Sequence, residues 1–257
     1  VLSLLTGLFG LLIGSFLNVV IWRVPRGESV VSPGSACPWC GHPVRGRDNI
    51  PVLSWLLLRG RCRDCGEPIA RRYPAVELGT GVAFAAVTAW TGLAWELPAL
   101  LYLTAVAIAL TLIDLDVQRL PDAIVLPSIV VAAALLTLAA AMTGQWSDLR
   151  RAFLAAAVLF AAYFLMKVAY PPGMGFGDVK LAALLGLYLG WIGWGAVVIG
   201  SFAAFVLGGI FSIGLVLMRR AGRKSGVPFG PWMILGAAVG ITVGESLWRA
   251  YLSTFIG

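Results

Sequence analysis

The sequence predicts an all-α polytopic membrane protein of about eight transmembrane helices, with a small cytoplasmic zinc-binding module between the first helix and the second. Three observations predict this. Of 257 residues, 60% are hydrophobic and 12% are charged, about half the charged share of a soluble domain. Mean hydropathy is +0.91. The longest polar stretch, 23–73, holds all four cysteines. These features exclude a disordered chain and an ordinary water-soluble globule.

A helix needs about 20 apolar residues to span the hydrocarbon. The first predicted span runs from Leu2 to Trp22. It has no basic segment ahead of it and no small-x-small cleavage site, so it is expected to be a retained helix rather than a signal peptide. Seven more are predicted at Pro74–Trp90, Pro98–Ile113, Ala123–Met142, Ala152–Tyr170, Leu181–Val197, Ile199–Met218 and Phe229–Leu247. The sixth and seventh are separated by a turn expected near Gly193 to Gly200. The organisation is then 1–22, first transmembrane helix; 23–73, cysteine module; 74–257, seven-helix membrane domain. Glycines such as Gly186, Gly190, Gly208 and Gly209 are expected to let helices approach closely.

The net charge of +7 comes from 19 Lys plus Arg against 12 Asp plus Glu. Its distribution records topology. Nine arginines lie between Arg23 and Arg72, and four basic residues lie between Arg219 and Lys224. Short basic loops stay in the cytoplasm. With 23–73 inside, Arg119 and Lys180 also fall inside, Glu96, Asp148 and Glu245 fall outside, and both termini are outside. Arg150 and Arg151 violate the rule.

The four cysteines form two CxxC pairs, Cys37 with Cys40 and Cys62 with Cys65, each followed by glycine, Gly41 and Gly66. A CxxC turn aims two thiolates at one ion, and the second turn closes a tetrahedron. Four soft thiolates with no spare position fit structural Zn2+. An iron–sulfur cluster and redox-active CxxC pairs are the alternatives, and cytoplasmic placement argues against disulfides. His42, the one histidine, is expected at the surface or behind the ligands. Five arginines, Arg45, Arg47, Arg59, Arg61 and Arg63, raise nucleic-acid binding. The apolar run IPVLSWLLL (50–58) argues instead for a face on the membrane domain or the lipid surface, and no nucleic-acid partner is expected.

Ionisable groups near membrane spans are costly and therefore informative. LIDLDVQRLPD (112–122) places Asp114 at the end of an apolar helix, ahead of Asp116 and Asp122. GFGDVK (175–180) places Asp178 after a glycine-rich turn. The two lie 64 residues apart, across one helical hairpin, at the same expected depth. Two carboxylates held together do not easily both ionise, so one can protonate a substrate while the other activates water. Asp114 and Asp116 sit about 200° apart around a helix, so only one can face a given centre. Gly175 and Gly177 would allow close approach or positive φ, and Asp122, after Pro121, could cap a helix. From these residues alone, a hydrolase, a carboxylate-dependent transporter and purely structural carboxylates all stand.

The motifs together resemble the bacterial type IV prepilin leader peptidase family, the membrane aspartic proteases with a GxGD motif. GSFLNVVIWRVPRGESVVSPGSACPWC (14–40), NIPVLSWLLLRGRCRDCG (49–66), RYPAVEL (72–78), LIDLDVQRLPD and GFGDVKL occur in the family's order and spacing. The resemblance implies Asp114 and Asp178 as the catalytic pair, with Asp116, Asp122, Gly175, Gly177 and Lys180 around them. It implies zinc on Cys37, Cys40, Cys62 and Cys65, and no metal for proteolysis. The implied substrates are type IV prepilin or pseudopilin precursors of pilus or type II secretion systems, cut after a glycine at the cytoplasmic face of the bacterial inner membrane. Membrane lipid is the other implied partner. The family also implies N-methylation of the new N-terminus from S-adenosylmethionine, here assigned to Asn49, Arg72 and Glu77. Glu77 could equally pair with Arg72 or cap a helix. The chain departs from many relatives in carrying GRD, with Gly46 and Arg47, before NIP. A protease without methylation, a transporter, and a zinc-module assembly factor without catalysis are the competing functions.

Overall fold

The computed structural model describes residues 1–218 and 228–255. The basic cluster Arg219–Lys224 lies outside the described residues. Ten α-helices follow in order: α1 Leu2–Arg23, α2 Leu53–Leu57, α3 Arg72–Thr91, α4 Leu97–Val117, α5 Asp122–Thr143, α6 Trp146–Ala169, α7 Phe176–Ile192, α8 Trp194–Leu217, α9 Gly230–Val239 and α10 Glu245–Phe255. A π-turn, Gly240–Gly244, joins α9 to α10. Among the described residues, β pairing is confined to two isolated bridges, Ala36 with Pro43 and Arg61 with Pro68. Among the described residues, five helices are long and apolar enough to cross a membrane: α1 with its following turn, α4, α5, α6 and α8.

Two compact units divide within α4, Val1–Ala109 and Leu110–Gly257. In the first, α1 and α3 pack along a glycine seam. A Cβ on Gly10 would lie 2.9 Å from the Gly81 Cα, and one on Gly14 would lie 2.7 Å from the Glu77 Cα. Apolar side chains gain little from leaving lipid for one another, so such backbone proximity is what holds two helices together there. Gly14→Val is expected to destabilise this hairpin by about 1–3 kcal/mol through overpacking. Unfolding of the purified protein in mixed micelles measures it.

In the second unit, α7 is the centre. Twelve of its residues are buried, from Asp178 to Trp191. Gly186 and Gly190 bring it against Ala156 and Ala152 of α6. Gly200 of α8 meets Gly236 and Gly240 in the same manner, and Gly208 meets Trp232. Gly209, expected to act likewise, has open space beside it.

Several expected boundaries move. Helix α7 begins at Phe176, not Leu181, so Asp178 lies inside its first turn. The sixth–seventh break is a single residue, Gly193, and Val197, Ile199 and Gly200 belong to α8. An all-apolar run carries no charge to mark its turn, whereas an extended glycine between Ile192 and Trp194 suffices to make one. The last predicted span extends through the π-turn to Phe255.

Arg151, one of the two arginines that violate the expected charge rule, has a structural role. Arg151 donates from Nε to the Gly190 carbonyl at 2.7 Å and from one terminal nitrogen to the Trp191 carbonyl at 2.8 Å. It also pairs with Asp148 at 3.0 Å. It therefore caps C-terminal carbonyls of α7 that lack a partner within the helix.

Candidate functional site

Helix α4 carries Asp114 into the interior of the second unit, where it is 4% exposed. Asp116, two residues on, is exposed, as the helical angle requires. One oxygen of Asp114, Oδ2, accepts the Gly230 N–H at 3.1 Å. Gly230 is the first residue of α9, so the carboxylate meets the positive end of that helix. A Cβ on Gly230 would sit 2.7 Å from the same oxygen. The contact thus needs glycine there for room, not for positive φ.

Asp178 occupies the third position of α7 and is 9% exposed. Its Oδ2 accepts the Gly175 N–H at 3.0 Å, which fixes the side chain across the helix start. Leu120 lies between the two supports. Its Cβ is 2.8 Å from where a Cβ on Gly177 would stand, and its Cδ2 is 3.3 Å from the equivalent point on Gly230. Two buried carboxylates, each steadied by a backbone amide, therefore share one small region.

The glycines of GFGD serve proximity. Neither Gly175 nor Gly177 has positive φ; Gly175 is extended at φ −75°, ψ 150°, and Gly177 lets Leu120 approach. Asp122 makes no side-chain cap to α5. Its Oδ1 instead accepts from Lys180 Nζ at 2.6 Å, and Lys180 also lies 4.8 Å from the Phe176 ring centroid. With Asp122 59% exposed, this pair contributes less than about 1 kcal/mol. It fastens α5 to α7 beside the carboxylates.

Gly230 has no counterpart among the sequence-predicted site residues. The available signal was the Gly-Pro step within PFGPW (228–232), since Pro at the start of a helix marks an N-terminus and its free amides. Gly230→Ala is expected to displace the Asp114 carboxylate and to lower turnover about ten- to a hundredfold with the fold retained. The kcat/KM of the variant checks it.

In the first unit the two cysteine turns repeat one local structure. Cys37 N–H donates to the His42 carbonyl at 2.9 Å and Gly41 N–H to the Cys37 carbonyl at 2.9 Å; Cys62 with Glu67, and Gly66 with Cys62, repeat this at 2.8 and 3.0 Å. Gly41 and Gly66 take φ of +71° and +75°, where glycine is needed. The four sulfurs lie within 4.8 Å of one another, and Cys37 Sγ is 3.8 Å from Cys65 Sγ. A tetrahedral ion with metal–sulfur bonds of about 2.3 Å has sulfur–sulfur edges of about 3.8 Å. The cluster can hold a metal ion. The backbone N–H groups of Cys40 and Trp39 pull the Cys37 thiol down to about 7, while, against a backbone hydrogen bond at Glu67, desolvation and the neighbouring thiols push Cys65 up to about 12. His42 is exposed and outside the cluster. Arg63 makes a bidentate pair with Asp48 and holds that carboxyl below its ordinary range, and Arg45 pairs with Asp64 at 2.8 Å.

Two of the residues singled out for methyl transfer, Glu77 and Asn49, have local partners. Glu77 Oε2 already accepts the Val52 N–H at 2.7 Å, and Ser15 hydrogen-bonds the same side chain. Asn49 is exposed, with its N–H turned to the Gly46 carbonyl. Glu77 thus secures the loop to α3, where Val52 is held at φ +63°, a costly conformation for a β-branched residue.

Residues 8–91 match the Bacterial Peptidase A24 N-terminal domain, and residues 101–213 match the Type IV leader peptidase family. The prepilin leader peptidase/N-methyltransferase of Aeromonas hydrophila is 38% identical over 274 residues, covering 97% of this chain and 93% of that protein. The chain belongs to the type IV leader peptidase family. Prepilin leader peptidase/N-methyltransferases of Pseudomonas aeruginosa and Neisseria gonorrhoeae are 35% and 36% identical, over 97% and 96% of the chain and 93% and 92% of their own lengths. No solved structure matches. Within this leader peptidase chain the family-core match includes Asp114 and Asp178 but stops short of Gly230.

Proposed function

We propose that this protein is a prepilin leader peptidase and N-methyltransferase. It is a multi-pass protein of the inner membrane, and we assign hydrolysis to Asp114 and Asp178. The observation that carries the reading is the pair itself: two nearly inaccessible carboxylates, each oriented by a backbone amide, with Leu120 packed close to both glycine segments that hold them. Burial of two like charges favours a shared proton. The ionised member takes a proton from water, which attacks the carbonyl of the glycine before the cut. The protonated member donates to the carbonyl oxygen as the tetrahedral intermediate forms; the member that took water's proton then passes it to the leaving amine, and the first recovers a proton from a hydroxyl of the intermediate as the carbonyl re-forms. The proton count closes within the pair, which titrates as a unit. Asp116, exposed, and Asp122, paired to Lys180, act around this centre rather than in it.

We further propose that α3, α7 and the α9–α10 segment complete eight spans, with the carboxylates at the cytoplasmic face. Arg119, Asp122 and Lys180 gather at that end of the second unit, and Asp148 and Glu245 at the other. For the four thiols we propose structural Zn2+. Its role is to close the 23–73 loop over a framework too small to bury a core of its own. Methylation rests on the relatives' names, with Asn49, Arg72 and Glu77 proposed for it and S-adenosylmethionine as the methyl donor.

Co-expression with a pilin-like precursor, in a host lacking its own peptidase, tests the reading by mass analysis. Leader loss together with one added methyl group on the new N-terminus is expected. Leader loss alone would reduce the function to proteolysis, and an intact precursor would refute it.

A further inference from the structure

We infer that the loop module carries a binding site for the headgroup of an anionic phospholipid, in a recess walled by Arg59, Arg61 and Arg71 around Trp55. The recess measures about 370 Å³ and includes Ile69 in its wall. Its floor is rigid. Trp55 Nε1–H donates to the Ile69 carbonyl at 3.1 Å, and the ring lies so close to Gly60 that a Cβ there would come within 2.8 Å of it. Arg59 and Gly60 are both in the left-handed region, at φ +52° and +67°, which turns the chain so that two arginines flank the indole.

Charge distinguishes this recess from the rest of the module. Residues 23–73 contain nine arginines against Glu28, Asp48, Asp64 and Glu67. Both aspartates are already engaged, Asp48 by Arg63 and Asp64 by Arg45. Among the described residues no acid forms an ion pair with Arg59, Arg61 or Arg71. Glu67, the nearest acid in sequence, is exposed and makes no ion pair to them. Three unneutralised guanidiniums around one hollow match a phosphodiester oxygen set, for which the guanidinium fork is suited.

Two neighbouring features point to lipid as the source of that phosphate. Helix α2, which carries Trp55, exposes Leu53 at 48%, Leu56 at 58% and Leu57 at 73%. A five-residue helix with three solvent-facing leucines gains free energy only by entering an apolar medium. Arg71 immediately precedes α3, whose start is tied to α1 by the Asn18 side-chain amide donating to the Tyr73 carbonyl at 3.1 Å. There the last turn of α1 carries Trp22, 56% exposed, with Arg26 3.6 Å over its ring. Trp and Arg at the end of an apolar helix mark the headgroup layer. The arginine recess, the leucines and this anchor belong to one compact unit, so the leucines would enter the acyl boundary while the recess takes the phosphate beside them.

Native mass spectrometry of the full-length protein in neutral detergent, titrated with phosphatidylglycerol or phosphatidylcholine, tests this. The wild type is expected to hold one phosphatidylglycerol at least about tenfold more tightly than phosphatidylcholine. Each arginine near a membrane surface contributes about fivefold, so R59Q/R61Q/R71Q is expected to weaken phosphatidylglycerol binding about a hundredfold, and the R59K/R61K/R71K variant far less. Equal affinity for both lipids in the wild type would overturn the proposal even if the glutamine variant failed to fold. So would wild-type binding by a well-folded glutamine variant. Displacement of the lipid by millimolar inorganic phosphate, or by S-adenosylmethionine, would reassign the recess to a soluble anion and equally end the lipid assignment.

Discussion

Asp114→Asn and Asp178→Asn are each expected to lower leader cleavage by about a thousandfold or more while the protein still inserts in the membrane and purifies at normal yield. The argument is one of matched shape and lost proton chemistry. Asparagine keeps an oxygen that can accept the Gly230 N–H in place of Asp114, or the Gly175 N–H in place of Asp178. Position is therefore preserved, and removing a buried carboxylate relieves desolvation rather than adding to it. What disappears is the ability to take a proton from water or to give one to the leaving amine, a contribution of about a hundred- to ten-thousandfold per group. Because the two act as one device, the double variant is expected to be no worse than the more damaged single. Asp116→Asn and Asp122→Asn are expected to change the rate less than about tenfold. Gel separation of precursor from mature pilin, with initial rates taken in detergent, measures all five proteins. Normal cleavage by either buried-aspartate variant would remove it from the mechanism.

Much of this was legible because membrane burial makes polar residues conspicuous. Asp114 and Asp178 stand out in apolar sequence, and a helix of 3.6 residues per turn already separates Asp114 from Asp116. The cysteine turns were equally plain, since CxxC followed by glycine encodes both ligand spacing and the left-handed residue that closes the turn. The parts that escaped share a cause: they are made by backbone groups far away in sequence. Gly230 contributes an amide, and an amide has no residue type to search for. Arg151 caps carbonyls of residues 39 and 40 positions away. Glu77, left open between a ligand-binding and a structural role, has the amide of Val52 as a partner. The single-residue turn at Gly193 lies in a run where helix and turn are equally apolar, so hydropathy could not place it.

Cys37→Ser and Cys62→Ser are each expected to abolish stoichiometric zinc and to open residues 23–73 to proteolysis. The module has little else to hold it. Between α1 and α3 its regular structure is two short 3-10 turns around 24–26 and 46–48, the five-residue α2 and two single β bridges. Its ion pairs are partly exposed; Arg45 and Arg63 are 48% and 41% accessible, and pairs of that kind contribute at most about 1 kcal/mol each. Four-thiolate zinc sites in small modules supply about 10–16 kcal/mol at neutral pH, an order of magnitude more. Each of the two substitutions takes one ligand from a different turn, and either one leaves three sulfurs and an open position that water fills. The loss is expected to be symmetric between the turns, because their hydrogen bonds repeat one another. Metal content by atomic emission on the purified variants, paired with limited trypsin digestion at the nine arginines of the loop, reads both consequences. One zinc per chain in either serine variant would contradict the four-thiolate site. A chelated wild-type protein that resisted trypsin as well as the loaded one would show that the loop is held by its contacts with α1 and α3 instead, with Glu77 and Val52 chief among them.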